Sequence, residues 1–373
     1  MQTSVQNQLS AIRRGRGVGA ADLARRVGVS RQTIYAIEAG SYVPNTEVAL
    51  KLARELEVSV EELFSLETGH QHDPKPLHGV VLSATAPARG QPVRVCKLGN
   101  WLVSIPVNAS PYLLPEADGI ISKLGRSEGR AELVVCSQED SFTKRIVLAG
   151  CDPAIGLLAR MVEQLSGVEI VSAEASSRLA LTWLKDGRIQ IAGSHLKDPE
   201  TGEFNLPLVR REFPGEDLAV VTFARWEEGF VTVPGNPKAI KQVADLARRN
   251  VRFVNREKGS GSRALLDSLL GQAGISSGKL AGYDRVAHGH LAAAYAVYAD
   301  QADCCIATRA AAQGFGLDFL PVQSERYDFV MRRETLELPP VQSFLDVLQK
   351  ATLRRKLQVL AGYDTTQTGV VLA

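Results

Sequence analysis

The residues best suited to chemistry lie at three predicted helix starts in the C-terminal half of the chain. A helix N-terminus presents unbonded N–H groups and the positive end of the helix dipole, and both favour a bound anion. The run 259–262 of alternating glycine and serine adds hydroxyl donors, and Arg263 adds a positive charge. The candidate anion-binding residues at these three starts are Cys151 and Asp152, Ser176 and Ser177, and Ser260, Gly261, Ser262 and Arg263. In the alternative interpretation the serines only cap helices and the glycines only make turns, and for Ser176 alone the cap is preferred.

Three more residues belong to the same predicted site. Ser194 and His195 end a predicted strand on the same side of the sheet, and Tyr283 lies in a loop that can face the same cleft. The run 259–263 is not a phosphate-binding P-loop, because Lys258 precedes the glycines instead of following them. The pattern therefore favours a bound anion without indicating a nucleotide.

Residue types that hydrolases use are also present in this half of the chain. They are Asp152, His195, His288, His290 and the pair Cys304–Cys305. No nucleophile elbow, P-loop or zinc motif accompanies them, and the cysteine pair lies in an apolar strand typical of a core. We therefore predict a binding protein with no catalytic residues. An enzyme with an attached DNA-binding domain is the alternative.

The five cysteines show neither a C-x-x-C pattern nor a Cys/His metal spacing, and their odd number argues against a disulfide framework. His70, His72 and His78 lie in a polar, proline-containing segment, 67–78, without the surroundings of a metal site. We predict free thiols, no metal site and no cofactor. No apolar run reaches the ~18 residues of a membrane span, so we expect a cytoplasmic protein without a membrane partner.

The first 66 residues have apolar positions at helical spacing, interrupted by short turns. Helices are predicted over 20–27 and 31–38, with Gly28 in the turn between them and Ser30 as the N-cap, which is a helix-turn-helix arrangement. Residues 1–37 contain six arginines and one acidic residue, whereas residues 38–66 contain two basic and six acidic residues. Although the whole chain has a net charge of only +2, this domain has a basic end, as a surface that contacts phosphates would.

Segments 21–24, 27–35, 37–40 and 58–64 resemble the Xre/Cro/C1 family of helix-turn-helix domains. The resemblance implies that helix 31–38 enters the major groove of double-stranded operator DNA with its N-terminal residues toward the bases. On this basis the DNA-binding residues are Ser30 and Arg31 at phosphates, Gln32 at adenine, Thr33 at a thymine methyl group, and Tyr35 at either. Glu38 is expected to form an ion pair within the bundle. Since such modules read symmetric operators, we expect a homodimer.

Downstream of the first domain, the patterns predict a linker with a small strand-rich segment over 67–142 and an α/β domain over 143–373. Strands near 145–149, 168–172 and 189–192 alternate with helices, which predicts a βαβαβ unit. A second set follows, with strands at 217–222 and 229–233 and a helix at 238–248. The fold class is therefore multidomain: an all-α helix-turn-helix bundle and an α/β domain of two lobes.

Segments 149–154, 192–196, 201–205, 252–256, 259–263, 282–283 and 325–328 resemble the type II periplasmic-binding-protein-like domain. This domain is found fused to helix-turn-helix modules and is similar to bacterial molybdate- and tungstate-binding proteins. The chain departs from the family at Ser262, where threonine is common, but the hydroxyl is kept. The resemblance implies an oxyanion effector, with molybdate or tungstate first. A molybdenum-cofactor precursor or an organic carboxylate is the alternative.

The two resemblances together predict a one-component regulator. Ligand closes the two lobes, closure shifts the placement of two DNA-binding modules in a dimer, and operator affinity changes. A structural DNA-binding protein whose lobes no longer bind ligand is a further alternative. The complete run 259–263 argues mildly against it.

Overall fold

The computed structural model describes residues 5–66, 76–107, 114–127, 129–136 and 139–372. The chain divides into two compact units, Met1–Lys75 and Pro76–Ala373. His70 and His72 lie outside the described residues. Among the described residues, no helix is long and apolar enough to cross a membrane.

The first unit is a helical bundle closed by a short antiparallel strand pair. Its core contains Leu23 and Val27 of the second helix and Ile34 and Ile37 of the third. Gly28 ends the second helix in a left-handed conformation (φ 80°), which glycine adopts without steric cost. The predicted helices 20–27 and 31–38 are confirmed. The elements are β1 (Val5–Asn7), α1 (Leu9–Gly15), α2 (Ala20–Val27), α3 (Arg31–Glu38), α4 (Thr46–Glu55), α5 (Val60–Leu63) and β2 (Phe64–Leu66).

The second unit begins with a closed five-stranded barrel in the order β3-β5-β4-β6-β7. Its strands are β3 (Leu77–Val81), β4 (Pro92–Leu98), β5 (Trp101–Pro106), β6 (Gly119–Leu124) and β7 (Arg130–Val135). Val80 and Val103 of the barrel share a hydrophobic cluster with Val147 and Val171 of the following α/β region. Burial of these side chains makes the predicted strand-rich segment part of the second unit, whereas the sequence analysis separates it.

The α/β region is built on a six-stranded sheet in the order β14-β11-β15-β10-β8-β9. The predicted βαβαβ unit is present, since β8 is parallel to both β9 and β10. Its elements are β8 (Arg145–Gly150), α6 (Ile155–Ser166), β9 (Glu169–Glu174), α7 (Ser177–Lys185), β10 (Ile191–Ser194), α8 (Leu206–Glu212), β11 (Leu218–Thr232), β12 (Asn255–Arg256), α9 (Gly261–Gln272), β13 (Val286–Ala287), α10 (His290–Tyr298), β14 (Cys304–Thr308), α11 (Arg309–Gly314), β15 (Asp318–Arg332), α12 (Pro339–Leu348) and α13 (Ala351–Lys356).

Two sequence predictions in this region are wrong. The strands predicted at 217–222 and 229–233 are one long strand, β11, because its antiparallel pairing with β15 continues through the intervening residues. The helix predicted at 238–248 is only a short 3-10 turn, Val243–Ala247. Ahead of it, the amide of Asn236 bonds the backbone of Ile240, and Ala239 has a φ of 48°, which no α-helix contains.

Two lobes share the long strands β11 and β15. The first lobe packs β8–β10 between helices, with Phe223 and Phe329 in its core. The second lobe has its own core, which includes Phe230, Phe253 and Ile306. Because one half of each long strand lies in each lobe, the ends of β8, β9 and β10 face the start of α9 across an interlobe boundary.

Candidate functional site

The start of α3 is an exposed polar surface, as the DNA-binding prediction requires. Ser30 accepts a hydrogen bond from the Thr33 N–H at 3.0 Å, and the two hydroxyls lie 2.8 Å apart. Arg31 donates to the Tyr35 hydroxyl at 2.8 Å and lies over its ring. Gln32 is exposed beside them. The five predicted DNA-binding residues therefore lie on the first turns of one helix, with Gln32 exposed at its start.

Glu38 lies at the other end of α3 and is held inside the bundle. Arg13 Nε donates to Glu38 Oε1 at 2.6 Å, and Arg13 Nη2 donates to Oε2 at 3.2 Å. The ion pair predicted for Glu38 is confirmed, and its partner lies on α1. This two-point contact joins α1 to the C-terminal end of α3, the helix whose N-terminal end carries the polar surface.

The first lobe places its predicted residues at the ends of β8, β9 and β10. The Ser177 hydroxyl accepts from the His195 N–H at 3.2 Å, and Ser176 caps α7 by accepting from the Leu179 N–H. Ser194 is fully buried. Asp152 instead accepts from the Tyr363 hydroxyl at 2.9 Å and from the Ala154 N–H. One oxygen of its carboxylate, Oδ1, is thus occupied by contacts within the first lobe, and burial raises the pKa of Asp152 to about 7.

The second lobe places its predicted residues around the start of α9. Ser260 caps the helix, and Ser262 donates to Glu228 Oε1 at 2.7 Å. Arg263 donates to the carbonyl of Arg256 and lies over the Tyr283 ring, 4.5 Å from its centroid. The Tyr283 hydroxyl donates to Asp267. Tyr283 therefore positions Arg263 and does not line the interlobe cleft described below.

A buried polar cluster, Cys151, His195, Glu228, His290 and Glu325, lies where the lobes meet. Cys151 Sγ is 3.4 Å from His195 Nε2 and 3.7 Å from His290 Nε2, and His195 Nδ1 is 2.6 Å from Glu325 Oε2. From the sequence, His290 was predicted only as a hydrolase residue type and Glu325 only as part of the family-like segment 325–328, while Glu228 was not predicted at all. Glu228 gave no clear sequence signal, because it directly follows Glu227 and lies between the strands predicted at 217–222 and 229–233.

Burial lowers the pKa of both histidines, but neighbouring groups raise the pKa of His195 and lower that of His290 further. Burial by itself lowers the pKa of His195, but Cys151 and Glu325 raise it and hold it well above its ordinary value. Burial lowers the pKa of His290 well below its ordinary value, and the charges of Arg256 and His195 add to this. Burial also raises the pKa of Glu228 to about 7. The cluster thus contains two neighbouring imidazoles, one with a raised pKa and one with a lowered pKa.

Several polar atoms of this region lack a hydrogen-bond partner among the described residues. They are Asp152 Oδ2, Ser194 Oγ, Glu228 Oε2, Arg256 Nη1 and His290 Nδ1. Leaving a buried polar atom unpaired costs roughly 1–3 kcal/mol, so native proteins seldom keep several together. Two of these residues, Glu228 and His290, belong to the buried polar cluster where the lobes meet.

An open cleft of about 750 Å³ adjoins the cluster. His195 and Glu325 line it from the lobe boundary, and the N-terminal turn of α9 lines it from the second lobe. Four of the predicted ligand-binding residues line this interlobe cleft: His195, Ser260, Gly261 and Arg263. Cys151, Asp152, Ser176, Ser177, Ser194, Ser262 and Tyr283 lie in the surrounding structure and not in the cleft lining.

Comparison with protein families assigns both units. A model of the PBP superfamily domain matches residues 158–349, more than half of the chain. The chain belongs to the PBP superfamily. A helix-turn-helix model matches residues 9–63, so this PBP superfamily protein carries a helix-turn-helix domain at its N-terminus. The predicted combination of a helical DNA-binding module with an α/β binding domain is confirmed.

Relatives resemble this PBP superfamily protein over one unit or the other. The protein YvgK of Bacillus subtilis is 33% identical over 227 residues, covering 61% of this chain and 73% of its own. An HTH-type transcriptional regulator of Methanocaldococcus jannaschii is 41% identical over 63 residues, covering 17% of this chain and 96% of its own. A phosphate-bound ABC transporter substrate-binding protein of Clostridium perfringens aligns with a TM-score of 0.45 and 14% identity, over 59% of this chain and 98% of its own.

Proposed function

We propose that this protein is a ligand-responsive transcription regulator that binds double-stranded DNA through α3 and a small organic anion in the interlobe cleft. The observation that carries the proposal is the cleft itself, where the N-terminal turn of α9 faces His195 within one chain that also contains a helix-turn-helix. The function is binding at both sites, and no reaction is assigned to either.

DNA binding follows from the surface of α3. Arg31, Gln32 and Tyr35 are exposed on the helix that enters the major groove in helix-turn-helix proteins. Arg31 supplies the charge that phosphates attract, and Gln32 supplies the amide that pairs with adenine. The similarity of the N-terminal unit to HTH-type transcriptional regulators supports this assignment. We propose a homodimer, because two such helices read a symmetric operator.

The charges around the cleft favour an anion. Arg178, Lys197, Arg211, Lys258 and Arg263 line it, against Asp198, Asp267 and Glu325. The N-terminus of α9 adds the positive end of a twelve-residue helix. The excess of positive groups supports a carboxylate or phosphate ester as the ligand class.

The size of the cleft favours an organic anion over a bare oxyanion. Its volume of about 750 Å³ is within the range of pockets that bind drug-sized organic ligands, roughly 300–1,000 Å³. Glu325 brings a carboxylate to the lining, whereas a tetrahedral oxyanion prefers a small site of donors alone. Molybdate and tungstate stay a prediction of the sequence and are tested beside the organic anions.

The ligand is sought by thermal unfolding of the full-length protein against carboxylates, phosphate esters, molybdate, tungstate, sulfate and phosphate. A ligand present at a hundredfold excess over its Kd adds about 2.7 kcal/mol to the free energy of unfolding. We expect an organic anion to raise the Tm of the wild-type protein. The rise should be the same in the Lys279→Ala control and smaller in Lys258→Ala. If only molybdate or tungstate stabilises the protein, the proposed ligand is the oxyanion and not an organic anion. If no compound stabilises it, the anion site is contradicted.

The regulatory step is tested with an operator selected from random duplexes by the full-length protein. Addition of the stabilising anion is expected to change operator affinity about 5–150-fold, the usual range of coupling between two sites. An unchanged affinity at saturating anion would separate the cleft from DNA binding and overturn the regulatory part of the proposal.

A further inference from the structure

Three potential metal-ligand atoms converge inside the buried polar cluster. Cys151 Sγ lies 3.4 Å from His195 Nε2 and 3.7 Å from His290 Nε2, and all three atoms lie within 4.8 Å of one another. For Zn–S of about 2.3 Å and Zn–N of about 2.0 Å, tetrahedral coordination separates sulfur from nitrogen by about 3.5 Å. The observed separations are close to that value, and all three side chains are buried.

A glutamate carboxylate lies near the Nδ1 atom of each imidazole. His195 Nδ1 is 2.6 Å from Glu325 Oε2, and His290 Nδ1 is 3.6 Å from Glu228 Oε1. Metal-ligating histidines commonly present one ring nitrogen to the metal and give the other N–H to a carboxylate or carbonyl, which fixes the ring and raises its basicity. His195 has this arrangement, whereas His290 Nδ1 lies near Glu228 but beyond hydrogen-bond distance. The Nε2 atoms of both rings lie near the same sulfur.

We propose that Cys151, His195 and His290 form a site for a transition-metal cation of the Zn²⁺ type. One sulfur and two imidazole nitrogens match the softness of such an ion. A divalent ion also balances the buried carboxylates of Glu228 and Glu325. His195 also lines the interlobe cleft, so the proposed site lies next to the cleft.

A nucleophilic cysteine is the competing use of the same residues. Such a cysteine needs one imidazole as its base and an open side for the substrate. In this cluster a second imidazole faces the sulfur, and Cys151 is only 7% exposed. The geometry therefore favours coordination over attack on a substrate. This inference stands independently of the proposed anion ligand, because metal binding is measured directly.

The experiment titrates Co²⁺ and Zn²⁺ into the full-length protein after chelator treatment. Co²⁺ reports the site by its absorption, since tetrahedral Co²⁺ has intense visible bands and a thiolate ligand adds a charge-transfer band in the near ultraviolet. We expect one equivalent per chain, a thiolate band, and release of Co²⁺ by Zn²⁺. Cys151→Ser should abolish the thiolate band, and His290→Asn should weaken binding at least tenfold.

Three variants separate this site from other sources of binding. Cys136→Ser removes an exposed thiol outside the cluster and should leave the spectrum unchanged. A His70→Asn/His72→Asn variant should also bind one equivalent. Glu325→Gln removes only the carboxylate behind His195 and should weaken binding about 10–100-fold while the thiolate band persists.

The wild-type spectrum decides the proposal even where a cluster variant fails to fold. Absence of the thiolate band in the wild-type protein, or loss of the bound equivalent in the His70/His72 variant, would overturn the site. Rapid alkylation of Cys151 by iodoacetamide, unaffected by Zn²⁺, would favour the nucleophile instead.

Discussion

Gly261 lies directly against the imidazole of His195, so that a Cβ built on residue 261 would be 2.5 Å from His195 Nδ1. Gly261 is the first residue of α9 in the second lobe, and His195 follows β10 in the first. The two lobes thus meet here, with the backbone of Gly261 against the imidazole ring of His195, because glycine has no side chain to separate them. A side chain at residue 261 would therefore push the start of α9 away from His195.

Replacement of Gly261 by alanine should therefore disturb the contact between the start of α9 and His195. We expect Gly261→Ala to lower the free energy of unfolding by about 1–3 kcal/mol, as overpacking does, and to reduce stabilisation by the cleft ligand. Thermal unfolding with and without ligand measures both effects. Gly271→Ala is the matched control, because this glycine of the same helix has open space around it and should gain up to about 1 kcal/mol. Equal behaviour of the two variants would contradict the contact.

The Arg13–Glu38 pair should contribute strongly to the stability of the first unit. Glu38→Ala leaves the mostly buried Arg13 guanidinium without a counter-charge and with the Val18 carbonyl as its remaining partner, so we expect a loss of about 3 kcal/mol in the free energy of unfolding. Glu47→Ala, which breaks the exposed i,i+4 pair with Lys51, should lower the free energy of unfolding far less. Urea unfolding followed by circular dichroism compares them. A Glu38→Ala loss as small as that of the control would show that the buried pair adds little.

Substitutions at the start of α3 should distinguish base contacts from phosphate contacts. Gln32→Ala is expected to weaken operator binding by about 1–3 kcal/mol and to relax the preference at one base pair. Arg31→Ala should weaken binding to all sequences and reduce the salt dependence by about one unit of slope. Arg54→Ala, an exposed arginine on α4, serves as the control. Titration of labelled operator at several salt concentrations gives each result, and an Arg31 variant with an unchanged salt slope would exclude a phosphate contact.

Asp118 should make the stability of the second unit dependent on acid pH. Arg145 on β8 contacts both oxygens of this carboxylate, at 2.6 and 2.9 Å, and thereby ties the barrel to the first lobe. Burial alone raises the pKa of Asp118, but bonds from Arg145 and the Val95 N–H outweigh burial and hold it below its ordinary value.

Because the folded pKa is the lower one, the carboxylate stabilises the fold above its unfolded pKa of about 3.9 and loses that effect as pH falls toward the folded value. We expect Asp118→Asn to remove this part of the acid transition and to lower stability at neutral pH. Unfolding measured from pH 7 to pH 3 tests both. An identical pH profile in wild type and variant would rule out the linkage.

The sequence by itself determined the local structure of both units. Helices α2 and α3 follow from apolar residues at helical spacing, with Gly28 and Ser30 as their end signals, and the alternation of β8, α6, β9 and α7 follows in the same way. These elements depend on interactions between near neighbours in the chain. The polar start of α3 and the capped start of α9 could be predicted for that reason.

Only the tertiary structure decided the buried cluster and the place of the barrel. His195 and His290 reach Cys151 from 44 and 139 residues away along the chain, and no spacing pattern relates such positions. Glu228 joins them because β11 continues across both lobes, which depends on pairing with β15 rather than on local propensity. Likewise, Val80 of the barrel packs with Val147 because burying both removes apolar surface from water, an effect that depends on proximity in space and not on position in the chain.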